Sequence, residues 1–577
     1  MTATGLLRIF NEAAVLSFAD VHVAQRLTAL AGEHDESVAL AVALLVRAVR
    51  DGSVCVDLGT VAADTGFPEL PWPEPMSWLA AVSRSRLMAN PPVLRLHDNR
   101  LLYLDRYWRE EEQVCTDLLA LSMRGVPTAV PDSARLFPPG YAEQRAAAEI
   151  AVAQSVTVLT GGPGTGKTTT VARLLALLAE QEELGGRPRP RIALAAPTGK
   201  AAARLGEAVS AEIAKLDAVD QRRLAGLAAM TLHRLLGPRP DASATSMRFR
   251  HHRGNRLPHN VIVVDETSMV ALTMMARLLE AVRPDARLIL VGDADQLVSV
   301  AAGAVLADLV DGLSTRSDRA VIALRQSHRF GESIGALAQA IRIGDADQAI
   351  ALLRSGSTHI EWIDDDNPVE SLRAVLVMHA RRVREAALLG AWELALAALD
   401  EHRLLCAHRD GPAGVTQWNQ QIQRWLSDET GHSGWSQWYP GRPVLVTAND
   451  YGLGVYNGDT GVVVVDPDHR PSLRIVISGA TGPHTFSTTR LSNVETMYAM
   501  TIHKTQGSQA KEVTVVMPPP ESRLLTRELL YTAVTRATDK IRLVGTEASV
   551  RAAVRRRVAR ATGLAKQLQA APRTVPR

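Results

Sequence analysis

The stretch LTGGPGTGKTTTVARLL, residues 159–175, constrains this chain more than any other. An apolar strand end runs into GGPGTGKT (161–168), which fits G-x-x-x-x-G-K-[ST], and a helix-forming run opens directly behind it. Glycines let backbone N–H groups turn inward around phosphate oxygens, and a helix N-terminus favours the same negative charge. Gly161, Gly162, Pro163, Gly164, Thr165, Gly166, Lys167, Thr168 and Thr169 are therefore the expected nucleotide cradle. Lys167 would reach the β- and γ-phosphates of ATP, and the Thr168 hydroxyl would ligate Mg²⁺. Alone, the loop does not say what the nucleotide drives.

Around the loop, short apolar runs (SVTVLT, RIALAA, NVIVVDE, ARLILVGD) alternate with helical ones. That pattern predicts an α/β fold, a parallel sheet covered on both faces. RLLCAHR, EVTVVMP and KIRLVGT form a second such set, so two α/β domains are expected, over 136–345 and 346–550. Each carries an interruption. Residues 238–260 are polar and basic with a hairpin-like turn, and 440–492 read as short β-branched strands between turns, a small β-barrel. Residues 1–135 lack a phosphate loop and show helical apolar spacing (Val38, Leu40, Val42, Leu44, Leu45), a mainly helical N-terminal domain. The linker, 127–141, holds four prolines in fifteen residues, and 551–577 form a basic C-terminal tail.

No window gives eighteen uninterrupted apolar residues, so no membrane helix is expected, and the first residues lack the basic region of a secretory signal. Three distant cysteines argue against disulfides and fit a cytoplasmic protein. Net charge is +3, but 551–577 carry eight basic residues and no acid; the remainder has 56 basic against 61 acidic. Nucleic acid would thus be held in a local groove, while the tail either touches DNA or is a solvated helix. Only seven residues are lysine, and Lys167, Lys200 and Lys504 all fall in motifs.

VIVVDETSM places Asp265 and Glu266 at the carboxyl end of a buried strand, beside the expected phosphates. Asp265 suits Mg²⁺ and Glu266 suits polarising an attacking water. LILVGDADQL brings Asp293, Asp295 and Gln296 to the same edge; Gln296 would sense the γ-phosphate or orient water. The pattern implies hydrolysis.

The ordered set APTGKAAARL (196–205), TLHRLLG (231–237), VVDETSM (263–269), VGDADQL (291–297), LRQSHR (324–329), YAMTIHKTQGSQ (498–509) and LYTAVTRA (530–537) resembles the superfamily-1 helicases. TLHRLLG, NGDTG (457–461) and TIHKTQGS together are similar to its RecD branch, and the separate N-terminal domain and the chain length resemble the exodeoxyribonuclease V alpha chains within that branch. The resemblance covers about 140–546. It implies two RecA-like domains, an SH3-like barrel at 440–492, and a strand-separating pin at 238–260, where a solvated loop is the alternative. In YAEQRAAAEIAV, Gln144 resembles the adenine-reading glutamine. Arg536 and Arg329 resemble the arginines that face the γ-phosphate from across a cleft; a surface salt bridge is the alternative for each.

Thr198, Lys200, His233, Thr501, His503 and Lys504 match motif positions that contact DNA. The resemblance further implies 5′–3′ translocation on single-stranded DNA, helicase action in double-strand-break repair and recombination, and RecB-like and RecC-like partners, with the N-terminal domain as their interface and any nuclease on the RecB-like one. A stand-alone helicase and a regulatory ATPase subunit are the alternatives. One departure stands out: motif V commonly ends in an acid, and this chain has Gln509.

Overall fold

The computed structural model of the chain describes residues 4–123, 131–239, 249–299, 301–316, 320–326, 331–431, 436–450, 452–469, 471–479, 482–558 and 560–571. Strand pairing among these residues builds four sheets. The first runs in the spatial order Ala229–Thr231, Ile192–Ala196, Val261–Val264, Arg287–Gly292, Val156–Gly161, Val321–Leu324, with every pairing parallel. Val261–Val264 is buried throughout, as a β-branched strand between two helical layers must be. Because the strands are parallel, Gly161, Ala196, Val264 and Gly292 all end on one edge, and the loops that follow meet there.

A second parallel sheet runs Ile360–Ile363, Ala537–Val544, Ala510–Val516, His402–Cys406, Ala499–Thr501. Its core includes Ile334, Leu337 and Ile341 from the helix Glu332–Ile343. Spaced i, i+3, i+7, these residues form one apolar stripe, which packs on the helix Arg527–Val534. The second body therefore starts near residue 331, ahead of the boundary expected at 345.

Five antiparallel strands inserted in this body run Gly482–Ser487, Leu473–Gly479, Thr460–Val465, Pro443–Val446, Val494–Thr496. Alternation splits their side chains. Val462, Val464 and Val476 join the core of the second body, while Val463, Ile475 and Ile477 fill a separate small core.

The N-terminal residues form helices and a three-stranded antiparallel sheet around Phe10, Leu40, Leu44, Leu45 and Trp78. The helix Asp105–Ser122 lies against the helix Leu272–Ala281 of the first body. Thr273 Oγ1 donates to Glu110 Oε2 at 2.7 Å, and Gln113 Nε2 donates to the Ala276 carbonyl at 3.0 Å.

The basic tail is not a solvated segment. Residues Glu547–Arg555 are a helix of the second body, and the chain then returns to the first. Arg560 Nη1 donates to the carbonyls of Ala301 (3.0 Å) and Gly303 (3.1 Å), and Val54 N donates to Ala561 O at 3.0 Å. Buried Glu111 accepts from Thr562 Oγ1 at 2.7 Å and from Gly563 N at 3.2 Å. Leu564 and Leu568 are fully buried in the core that the first body shares with the helix Asp105–Ser122. Charge dominated the sequence reading; two leucines and one buried carboxylate dominate the packing. No helix among the described residues is long and apolar enough to cross a membrane.

Candidate nucleotide and DNA site

The strand Val156–Gly161 ends in a loop whose sharp turns need Gly164 (φ 81°) and Gly166 (φ 83°), a left-handed region that side chains resist. Gly166 immediately precedes the helix Lys167–Leu184, so the helix N-terminus faces the loop. Lys167 Nζ donates to the carbonyls of Gly161 (2.6 Å) and Gly162 (2.9 Å), which folds its ammonium back over the loop. Gln144 is buried and donates from Nε2 to Thr165 O at 3.1 Å, fastening the preceding helix to the loop.

A cleft of about 680 Å³ opens between the two parallel-sheet bodies. From the first body it is lined by Gln144, Pro163, Gly164, Gly166, Lys167, Thr168, Thr169, Asp265, Glu266 and Gln296. From the second come Gly507, Ser508, Gln509 and Arg536. Gly161, Gly162 and Thr165 belong to the same loop, with Gly161 and Thr165 buried beneath its lining. Burial and the neighbouring Glu266 carboxylate push the Asp265 carboxyl up to about 6. Glu266 holds φ 49°, rare for a side chain of its size, and its N–H donates to Asp265 Oδ1 at 2.9 Å. The bend turns the chain sharply at the strand end, so two consecutive carboxylates reach one cleft.

Arg536 is buried, which lowers its pKa, while Glu266 and Asp293 oppose that shift. Its guanidinium donates to Thr532 O (3.0 Å) and Ser508 O (3.3 Å) within the second body. Arg329 lies outside the described residues. Sequence reading missed Tyr141 and Arg204, which also line the cleft; Asp293, expected at this edge with no role of its own, lines it too and is buried beside Gln296. The signal for Asp293 was present in GDADQL, where two aspartates were left undivided between turn and site.

The six residues matched to DNA contacts sit elsewhere on the strand-end edges, none of them in the cleft lining. Thr198 Oγ1 caps the helix Gly199–Ile213 by accepting from Ala201 N at 3.2 Å. Lys200 Nζ donates to Gly458 O of the antiparallel insertion at 3.2 Å; burial, then Arg204 and Arg403, lowers its pKa to about 7. Thr501, His503 and Lys504 follow one another at the end of the strand Ala499–Thr501, and Lys504 Nζ is 3.4 Å from Glu495. His233 is exposed yet edge-on to Phe249, ring centroids 6.0 Å apart, and partial desolvation lowers its pKa. Of the 238–260 interruption, the described part folds back: Arg253 pairs with Asp117 of the N-terminal body at 2.7 Å. Residues 240–248 lie outside the described residues.

Three family models match in order: the RecBCD enzyme subunit RecD N-terminal domain over 12–102, an AAA domain over 144–302, and a UvrD-like helicase C-terminal domain over 496–544. The RecBCD enzyme subunit RecD of Mycobacterium tuberculosis is 69% identical over 567 residues, 98% of this chain and 97% of that protein. The chain belongs to the RecD family. The ATP-dependent RecD2 DNA helicase of Deinococcus radiodurans is 34% identical over 77% of this chain and 54% of that protein. Bacteroides Pif1 helicase, crystallised with ADP-AlF3 and ssDNA, aligns over 67% of this chain and 88% of that one at 16% identity, with a TM-score of 0.35, too slight to inform the fold. This RecD-family chain is an ATP-dependent DNA helicase motor.

Proposed function

We propose that the chain is the 5′–3′ translocating motor of a RecBCD-type enzyme, working in the cytoplasm on the 5′-ended strand at double-strand breaks with RecB-like and RecC-like partners. One observation carries this reading: Lys167, Asp265 and Glu266 of one body share a cleft with Arg536 of the other. In that cleft the loop N–H groups and Lys167 hold the triphosphate of ATP, with Gln144 at the adenine end. Thr168 and Asp265 offer a hydroxyl and a carboxylate oxygen, the hard donors Mg²⁺ takes; the desolvation that raises the Asp265 pKa is the strain a divalent cation relieves. Bound there, Mg²⁺ would neutralise charge on the phosphates. Glu266 and Gln296 orient the attacking water. Arg536, released from Ser508 O and Thr532 O, stabilises the transferring phosphoryl group, and Arg329 is the second arginine for that role.

Nucleotide held between two bodies closes them, and hydrolysis removes the bridge. Thr198 and Lys200 on one body, and Thr501, His503 and Lys504 on the other, then grip the DNA backbone alternately, with His233 against the strand. The antiparallel insertion is the counterpart of the SH3-like barrel beside the track, a reading supported by the bond from Lys200 Nζ to Gly458 O. The N-terminal body, with its own core, is the partner interface.

The test is unwinding of two duplexes, one tailed at the 5′ end and one at the 3′ end, by the purified chain and by its complex with RecB and RecC. Unwinding of the 5′-tailed duplex alone, lost in Lys167→Gln, is the expected result. Preference for the 3′ tail overturns the polarity. ATP hydrolysis without unwinding under either condition favours the regulatory subunit.

A further inference from the structure

Asp293 follows the strand Arg287–Gly292 and is buried. Its Oδ1 accepts from Asp295 N at 3.1 Å. Its Oδ2 accepts twice: from Gln296 Nε2 at 3.1 Å, and from the Tyr531 hydroxyl at 3.1 Å. Tyr531 belongs to the other body. It stands on the helix Arg527–Val534, with its ring in the second body's core and its hydroxyl across the boundary. The phenol also touches the phosphate loop, for a Cβ built on Gly162 would lie 3.0 Å from Tyr531 Oη. The next residue repeats the grip: Leu297 N donates to Thr532 Oγ1 at 2.8 Å. Arg536 leaves the end of this same helix and is tied to it through Thr532 O.

A carboxylate only accepts, so the side of the Gln296 amide that faces Asp293 is its NH₂. The Gln296 carbonyl oxygen is then left as the group able to receive a water O–H in the cleft. Tyr531 fixes the carboxylate from behind. Burial, then Asp293 and Asp295, raises the Tyr531 pKa well above that of an ordinary phenol, so the hydroxyl stays a donor.

We propose that Tyr531 is a positioning residue for ATP hydrolysis: through Asp293 it sets the orientation of the Gln296 amide, so that Gln296 and Arg536 come into register together when one helix docks. The inference rests on the nucleotide site proposed above. It makes the helix Arg527–Val534 the element that reports domain closure to the water-orienting residue.

Tyr531→Phe removes one oxygen and keeps the ring. Under DNA-stimulated conditions its kcat for ATP is expected to fall about 10- to 100-fold with KM changed less than about 3-fold, as for other residues that act through a neighbour. Affinity for ADP should hold, while affinity for ADP with aluminium fluoride weakens in step with kcat. In a Gln296→Ala background, Tyr531→Phe should cost nothing further. A tyrosine that merely stabilised the fold would slow both backgrounds equally, which overturns the proposal, as does a kcat within about 2-fold of the parent chain. Lys167→Gln run alongside separates the failures. If it stays active, the nucleotide site is misplaced; if it is dead while Tyr531→Phe is normal, only the role of Tyr531 falls.

Discussion

The two parallel-sheet bodies have the same construction and different chemistry. In the first, the strand Val156–Gly161 opens into a glycine-turned phosphate loop, and two neighbouring strands end in Asp265–Glu266 and Asp293–Gln296. In the second, the strand His402–Cys406 ends in AHRDGP, with no glycine-lysine loop. What the second body brings to the cleft is one buried arginine and a short turn, Gly507–Gln509. A shared fold therefore carries no shared activity; the residues just past the strand ends decide it. On the reading proposed above, the first body holds the charged ligand and the second reports on it.

The largest test of that division is Arg536→Ala. Hydrolysis should fall about 1,000-fold or more while ATP binding persists, the signature of an arginine that meets charge only in the transition state. Lys167→Gln should cost about 100- to 1,000-fold and weaken ATP binding as well, measurable by nucleotide titration. If the two variants lost binding equally, the contrast between holding and reporting would collapse.

Smaller effects sharpen it. Glu111→Ala leaves Thr562 Oγ1 and Gly563 N without their buried acceptor, for a loss of about 2 kcal/mol. Thermal melting and limited proteolysis of the C-terminal residues should register it, with the ATP KM unchanged. Lys200→Ala should weaken single-stranded DNA binding several-fold and lower the salt slope by about 1, because one phosphate contact is lost. A normal salt slope would remove Lys200 from the track.

Much of the first body was legible in the sequence because its chemistry is local. A glycine loop, a buried strand and the carboxylates after it are each set by a few consecutive residues, and GGPGTGKT and VIVVDETSM fall where their spacing put them. What escaped depended on distant partners. Nothing near LYTAVTRA announces that the Tyr531 hydroxyl crosses to Asp293, a separation of 238 residues along the chain. The cleft likewise draws on Arg204, which lies in the motif APTGKAAARL but whose approach to the cleft nothing in that run announces. The tail was misread for the same reason: its arginines are visible in sequence, but the carboxylate of Glu111 that receives it lies 452 positions away. Helix Glu332–Ile343 shows the milder case, since an apolar stripe says that a helix is buried and not which of two cores takes it.

The returning C-terminal strand of chain alters how the second body is mounted. The polypeptide passes from the first body to the second after Leu324, and comes back between Val558 and the contacts of Arg560 with Ala301 and Gly303. A rigid part fastened to its neighbour at one place can swivel freely; fastened at two, it keeps a single easy rotation, about the line joining them. In the closure proposed above, two covalent crossings would hold the second body nearer to a door on two hinges than to a ball in a socket.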